Sequence, residues 1–128
     1  VILLGMGGDG HVASLFPDSP ALGERDRLVV TQMVPMLGRR RMTFTFPLIN
    51  AARNVLFLVT GGDKAETVRQ VLSKDRSHAR QLPAGCVEPT NGKLIFILDA
   101  EAARLTEYKL QSGVDATCRR GCFRCLRR

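Results

Sequence analysis

The chain has 128 residues, 45% hydrophobic, 24% charged and 5% aromatic with no Trp, and a formal charge of +7. This is the profile of a globular chain with room for one modest core. The charge is not spread over a basic face, since Cys118–Arg128 holds five Arg and no acid and so supplies five of the seven charges, and stacking platforms for single-stranded nucleic acid are scarce.

No apolar run approaches the ~20 residues that span a bilayer. The apolar start lacks the charged flank and length of a signal peptide. The expectation is therefore a cytoplasmic protein with neither nucleic acid nor membrane as partner.

Val1–Leu4 is a continuous apolar run ended by Gly5, the pattern of a strand buried on both faces. A chain that opens in mid-strand is expected to be a fragment whose N-terminal part is missing. After the glycine-rich stretch, Val12–Phe16 has room for one helical turn before Pro17. Leu28–Thr31 reads as a strand, Pro35–Arg41 as a loop, and Met42–Phe46 as a half-buried strand of period two. Pro47 suits the first turn of a helix over Leu48–Arg53. Val55–Thr60 is a second buried strand, closed by Gly61-Gly62.

Asp63 is the expected N-cap of a helix over Lys64–Ser73, with Ala65, Val68, Val71 and Leu72 as its apolar stripe. Asp75–Gln81 reads as a polar surface loop and Leu82–Ala84 as a turn or short helix. Leu94–Leu98 is a strand, and Asp99 caps a helix start over Ala100–Leu105. Strands alternating with helices predict an α/β fold, a partial Rossmann-like layered domain with a mainly parallel sheet flanked by helices. Beyond Leu105 the pattern decays, and from Ser112 it reads as neither helix nor strand.

The loop Gly5–His11 carries the chemistry. Gly5-x-Gly7-x-x-Gly10 satisfies the dinucleotide fingerprint formally, but Pro17 stops the long helix that motif needs, and Glu24 and Asp26 precede the next strand instead of ending it. A P-loop has the same glycine separation, yet His11 stands where its Lys belongs and Val12 where its Ser or Thr belongs. What remains is a loop at the carboxyl end of a strand, where open α/β sheets place their ligand crevice. Asp9 and His11 flank Gly10, so a carboxylate can fix the tautomer of a histidine acting as base. The residues alone leave open whether they do so, or whether Asp9 caps the turn and His11 is a plain loop histidine.

The stretch Leu4-Gly5-Met6-Gly7-Gly8-Asp9-Gly10-His11-Val12-Ala13-Ser14-Leu15-Phe16-Pro17 resembles the signature of the 6-phosphogluconolactonase family. Glucosamine-6-phosphate deaminases share its glycine, aspartate and histidine core but typically continue Ala-Phe-Asn-Glu-Pro. Here the continuation is Ala13-Ser14-Leu15-Phe16-Pro17, the lactonase form. Arg41–Pro47 with Asn50–Arg53, Thr60–Ala65, and the blocks from Leu82–Ala84 through Asn91–Lys93 to Leu98–Asp99 agree in order and spacing. The resemblance runs from Val1 to about Leu105. It implies that residues 1–106 are the C-terminal portion of such a domain.

The same resemblance implies hydrolysis of 6-phospho-glucono-1,5-lactone in the oxidative pentose phosphate pathway, with no metal and no cofactor. His11 is then the base on water and Asp9 its orienter. Gly7, Gly8 and Gly10 line the substrate, and Arg41 and Lys64 take its phosphate. The implied partner is a phosphorylated sugar lactone, and the implied state a monomer or weak homodimer. Two alternatives stay open: a glucosamine-6-phosphate deaminase-like enzyme, and a catalytically inactive sugar-phosphate-binding fragment. Ser14 as a nucleophile is a further chemistry, although it lacks the Gly-x-Ser-x-Gly elbow.

Two features depart from the family pattern. The first strands and the Ser/Gly-rich phosphate loop are absent, so the chain alone is expected to be inactive or nearly so. The second departure is the tail, residues 107–128. Cys118-x-x-x-Cys122-x-x-Cys125 has the spacing of a thiolate set for an iron–sulfur cluster, but only three residues follow it, and the Arg- and Cys-rich composition reads as a disordered tail.

Overall fold

In the computed structural model, which describes residues 1–106 and 124–127, the opening apolar run forms strand β1 (Ile2–Leu4). It pairs in parallel with β4 (Asn54–Val59), which pairs in parallel with β5 (Lys93–Leu98). A fourth strand, β6 (Arg124–Arg127), runs antiparallel to β5, giving the order β1-β4-β5-β6. A separate antiparallel hairpin joins β2 (Val29–Val34) to β3 (Arg39–Phe44). The layered α/β fold with a mainly parallel sheet is thus present. β6 falls where no strand pattern was legible, inside the stretch expected to be disordered. The rest of that stretch, 107–123 with Arg128, lies outside the described residues.

Strand alternation places Leu4, Val55, Phe57, Val59, Leu94, Phe96 and Leu98 on one buried face. Register sets Leu4 against Phe57 and Phe57 against Phe96, so the two phenyl rings stack at 4.6 Å and 5°. Over this face lie α1 (Phe46–Asn50) with Ile49 buried, and α2 (Ala65–Val71) with Ala65, Val68 and Val71 buried at the predicted helical spacing. The opposite face differs from the expectation of a strand buried on both sides. Leu3 is 65% and Leu58 43% exposed, while Leu56, Ile95 and Ile97 on the same face are half-buried.

Several local expectations are corrected. Val12–Phe16 is not helical: Val12 and Leu15 exchange backbone hydrogen bonds around Ala13, which sits at φ +51, a left-handed conformation that a helix cannot contain. Pro35–Arg41 is a loop only as far as Gly38, which is left-handed at φ +57; β3 already begins at Arg39. Asp63 does not cap α2. A single-turn helix over Gly62–Lys64 comes first, and the Asp63 carboxylate turns to Lys64. Asp75–Gln81 contains a short helix, α3 (Arg76–Ala79), because the Asp75 side chain accepts from the Ser77 and His78 backbone N–H groups. Asp99 does cap, accepting from the Ala102 N–H at 2.7 Å, but successive turns follow it in place of a regular helix.

Candidate active site

Parallel pairing puts the carboxyl ends of β1, β4 and β5 at the same edge of the sheet. The loop Gly5–His11 leaves β1 there and closes on itself: the Gly10 N–H donates to the Gly7 carbonyl and the Gly7 N–H to the His11 carbonyl, both at 3.0 Å. Two glycines are required by space. A Cβ on Gly7 would lie 2.1 Å from His11 Nδ1 and 2.6 Å from Asp9 Oδ1. Gly10 has φ +79, and a Cβ there would lie 2.8 Å from Leu82 Cβ. Two neighbours hold the loop from outside. The Ala84 N–H donates to the Gly10 carbonyl at 2.9 Å, and the Thr67 hydroxyl of α2 donates to the Gly8 carbonyl.

Asp9 and His11 meet within the loop. Asp9 Oδ1 lies 2.6 Å from His11 Nδ1 and also accepts the His11 backbone N–H at 3.1 Å. An ionised carboxylate only accepts, so the neutral imidazole carries its proton on Nδ1 and leaves Nε2 bare. Partial burial opposes the charge on Asp9, but the His11 backbone N–H and ring outweigh it and hold the carboxyl below its ordinary value. Phe16 supports the ring from the side, with centroids 4.5 Å apart and planes tilted 31°. The His11 side chain keeps 32% of its surface open, so the bare nitrogen belongs to a group that a water molecule can approach.

Arg41 and Lys64 are placed differently from one another. Arg41 lies on β3, not at a strand end, and its Nε donates to Ser14 Oγ at 3.2 Å, so it is tied to the loop through a residue three positions after His11. Lys64 sits just past the carboxyl end of β4, at the same sheet edge as His11. Its ammonium is held by the Thr60 carbonyl at 3.1 Å and Asp63 Oδ2 at 3.2 Å. Among the described residues, no hydrogen bond or ion pair joins either cation to His11.

Ser14 is buried and bonded to the hairpin, with no hydrogen bond to His11, so the arrangement of a serine nucleophile with its base is absent among the described residues. Ser14 and Thr67 are the residues that sequence reasoning did not assign to the site's framework. Neither carried a local signal, since each acts through a partner 29 or 59 positions away.

Among the described residues, two cavities border this region. The larger, 560 Å³, is lined by Pro17, Phe46, Asn50, Arg80 and Cys86 among others and does not touch His11 or Asp9. The smaller, 370 Å³, is lined by Ala13, Ser14, Arg41 and Thr43. The smaller one joins the residues following His11 to a cation. Among the described residues no three His, Cys, Asp or Glu side chains gather as a metal site. Cys118 and Cys122 lie outside the described residues, and Cys125 lies in β6. No described helix is long and apolar enough to cross a membrane.

The sequence and the fold have counterparts among known proteins. A probable 6-phosphogluconolactonase of Drosophila melanogaster is 48% identical over 109 residues, covering 84% of this chain and 44% of that protein. The 6-phosphogluconolactonase of Homo sapiens is 43% identical over 106 residues, 82% of this chain and 40% of that protein. The solved 6-phosphogluconolactonase of Trypanosoma brucei superposes with a TM-score of 0.64 at 35% identity, covering 80% of this chain and 40% of its own. The chain therefore spans about two fifths of the length of these relatives. The model of the family described as glucosamine-6-phosphate isomerases/6-phosphogluconolactonase matches residues 1–96, and the chain belongs to that family.

Proposed function

We propose that this chain carries the general-base part of a lactonase site acting on 6-phospho-glucono-1,5-lactone. The observation that carries the reading is the 2.6 Å contact between Asp9 and His11 Nδ1. With its proton on Nδ1, His11 takes a proton from water at Nε2 as the oxygen attacks the lactone carbonyl. The tetrahedral oxyanion then collapses, the bond from the carbonyl carbon to the ring oxygen breaks, and the imidazolium returns its proton to that oxygen. Water has been added across one ester bond. Asp9 stabilises the imidazolium between the two transfers.

The remaining residues take supporting parts. The Gly7 and Gly10 N–H groups are spent inside the loop, which leaves Gly8, whose N–H has no partner among the described residues, to face a developing oxyanion. Arg41 and Lys64 are the cations for the phosphate. Lys64 is paired with Asp63 and must trade that partner for the substrate. The continuation Ser14-Leu15-Phe16-Pro17, together with relatives named as lactonases, favours this over the deaminase. The reading carries with it a cytoplasmic setting and a monomer or weak homodimer, which sedimentation tests.

The alternative of a sugar-phosphate-binding chain without turnover is favoured by one observation: β1 stands at the sheet edge with no described strand on its other side. Turnover of the lactone and calorimetry with 6-phosphogluconate separate the two readings. The isolated chain is expected to bind weakly and turn over far more slowly than a full-length relative; comparable rates would overturn that expectation. Joined to the portion of the Drosophila relative that it does not span, the chain should be active. His11→Ala should then lower kcat by about 10²–10⁴-fold with KM little changed.

A further inference from the structure

Ser14 is a hydroxyl residue buried to 4% exposure, and each of its polar atoms meets the hairpin β2–β3. Its N–H donates to Thr43 Oγ1 at 3.0 Å, its carbonyl accepts from the Gln32 amide, and its Oγ accepts from Arg41 Nε at 3.2 Å. Thr43 Oγ1 is itself oriented by donating to the Phe44 carbonyl at 3.0 Å. Ala13, immediately before Ser14, holds φ +51, a conformation costly for a residue with a Cβ and maintained only where the surroundings over-determine it.

We infer that Ser14 is a positioning residue that couples the base-bearing loop to Arg41, fixing the guanidinium so that its two terminal nitrogens face the cavity as a fork for an anionic substrate group. This rests on the lactonase reading for the identity of the anion, but the coupling itself does not. A guanidinium whose Nε is bonded can no longer swing freely about its stem. Its outer edge still offers paired N–H donors, the geometry that matches phosphate or carboxylate oxygens two at a time. Among the described residues those two nitrogens have no partner, and the 370 Å³ cavity lined by Ala13, Ser14, Arg41 and Thr43 opens beside them. Ser14 performs no bond chemistry. It sets where the charge of Arg41 stands relative to His11, and among the described residues Arg39 and Arg40 on the same strand have no such tether.

The test uses the 128-residue chain with ¹⁵N-labelled arginine. In the wild type, the Nε–H of Arg41 should exchange with solvent at least about tenfold more slowly than those of Arg39 and Arg40, as expected for a hydrogen bond from a charged donor. Equal rates for the three overturn the coupling, whatever the variants do. Ser14→Ala should remove that protection and weaken binding of 6-phosphogluconate about tenfold, while leaving gluconate binding and the amide spectrum of β4 and β5 unchanged. Thr43→Val, which keeps the Ser14 hydroxyl, should give an intermediate loss of protection. Unchanged protection in Ser14→Ala also overturns the inference. If the chain joined to the remaining portion of the Drosophila relative fails to bind 6-phosphogluconate while Ser14→Ala still accelerates exchange, the coupling stands and the lactonase reading fails.

Discussion

Within the loop, one oxygen does two jobs. Asp9 Oδ1 takes both the backbone N–H and the ring Nδ1 of His11, so the carboxylate fixes where the residue begins and which way its ring points. Asp9→Asn keeps an acceptor oxygen but removes the charge, so a proton on Nε2 becomes competitive with one on Nδ1. Imidazole ¹⁵N spectra of the neutral ring should show one tautomer in the wild type and a mixture in the variant. Gly7→Ala probes the same bond from the other side, because its Cβ would occupy the space of the His11 ring and the Asp9 oxygen. The variant should lose the tautomer preference while β4 and β5 keep their amide spectrum. A preserved single tautomer in both variants would remove the physical basis for His11 as an oriented base. The pair was legible in sequence because it is local, two residues around a glycine. The roles of Ser14 and Thr67 were not, because they exist only once a hairpin and a helix have docked.

Secondary-structure elements were legible where burial writes a pattern and obscure where pairing alone makes the strand. Val55–Thr60 and Leu94–Leu98 announce β4 and β5 by their apolar runs. Arg39–Arg41 joins β3 only because Val34, Met33 and Gln32 pair across from it, and an exposed arginine run has no alternation to read. In α3 four residues form a helix on the strength of one capping carboxylate, too short for any apolar stripe. The core they surround is anchored by the stacked Phe57 and Phe96 rings, both fully buried. Phe96→Ala should therefore cost about 3–5 kcal/mol in chemical denaturation; a loss under 1 kcal/mol would mean that the stack is not a centre of the core.

The turn ahead of β2 offers a pH-dependent check. Glu24 accepts the backbone N–H groups of Asp26, Arg27 and Arg25 and pairs with the Arg27 guanidinium. The N–H bonds of Asp26 and Arg27 and the Arg27 side chain lower its carboxyl from 4.5 to about 2. A depressed folded-state value means that the ionised form favours folding. Its contribution is fully present above pH 4.5 and is lost as the pH falls toward about 2. Glu24→Gln should thus lower Tm relative to wild type at pH 5 to 7, with the difference closing steadily below pH 4.5. A difference that stays constant from pH 6 to pH 2.5 would assign the loss to something other than the carboxylate charge.

Viewed whole, the molecule has two unequal faces. One side of the sheet is sealed by α1, α2 and the turns around Ala84, and there the sequence pattern, the packing and the site agree. The other side carries Leu3, Leu56, Leu58, Ile95 and Ile97 in cross-strand register: Leu3 beside Leu56, Leu56 beside Ile95, Leu58 beside Ile97. Leu3 and Leu58 remain open, and the edge of β1 that no described strand pairs with borders the same surface. Contiguous exposed apolar surface next to an unpaired strand edge favours association between copies. The isolated chain should therefore show a sedimentation coefficient that rises with concentration, together with binding of an apolar dye. Leu58→Lys sets a charge in the middle of that surface without touching the buried side, since residue 58 points away from Phe57 and Val59. Association should fall in this variant, while the Asp9–His11 tautomer signal stays as in the wild type. If Leu58→Lys associates as strongly as the wild type, the open sheet face is not what draws the copies together, and the strand edge becomes the element to block.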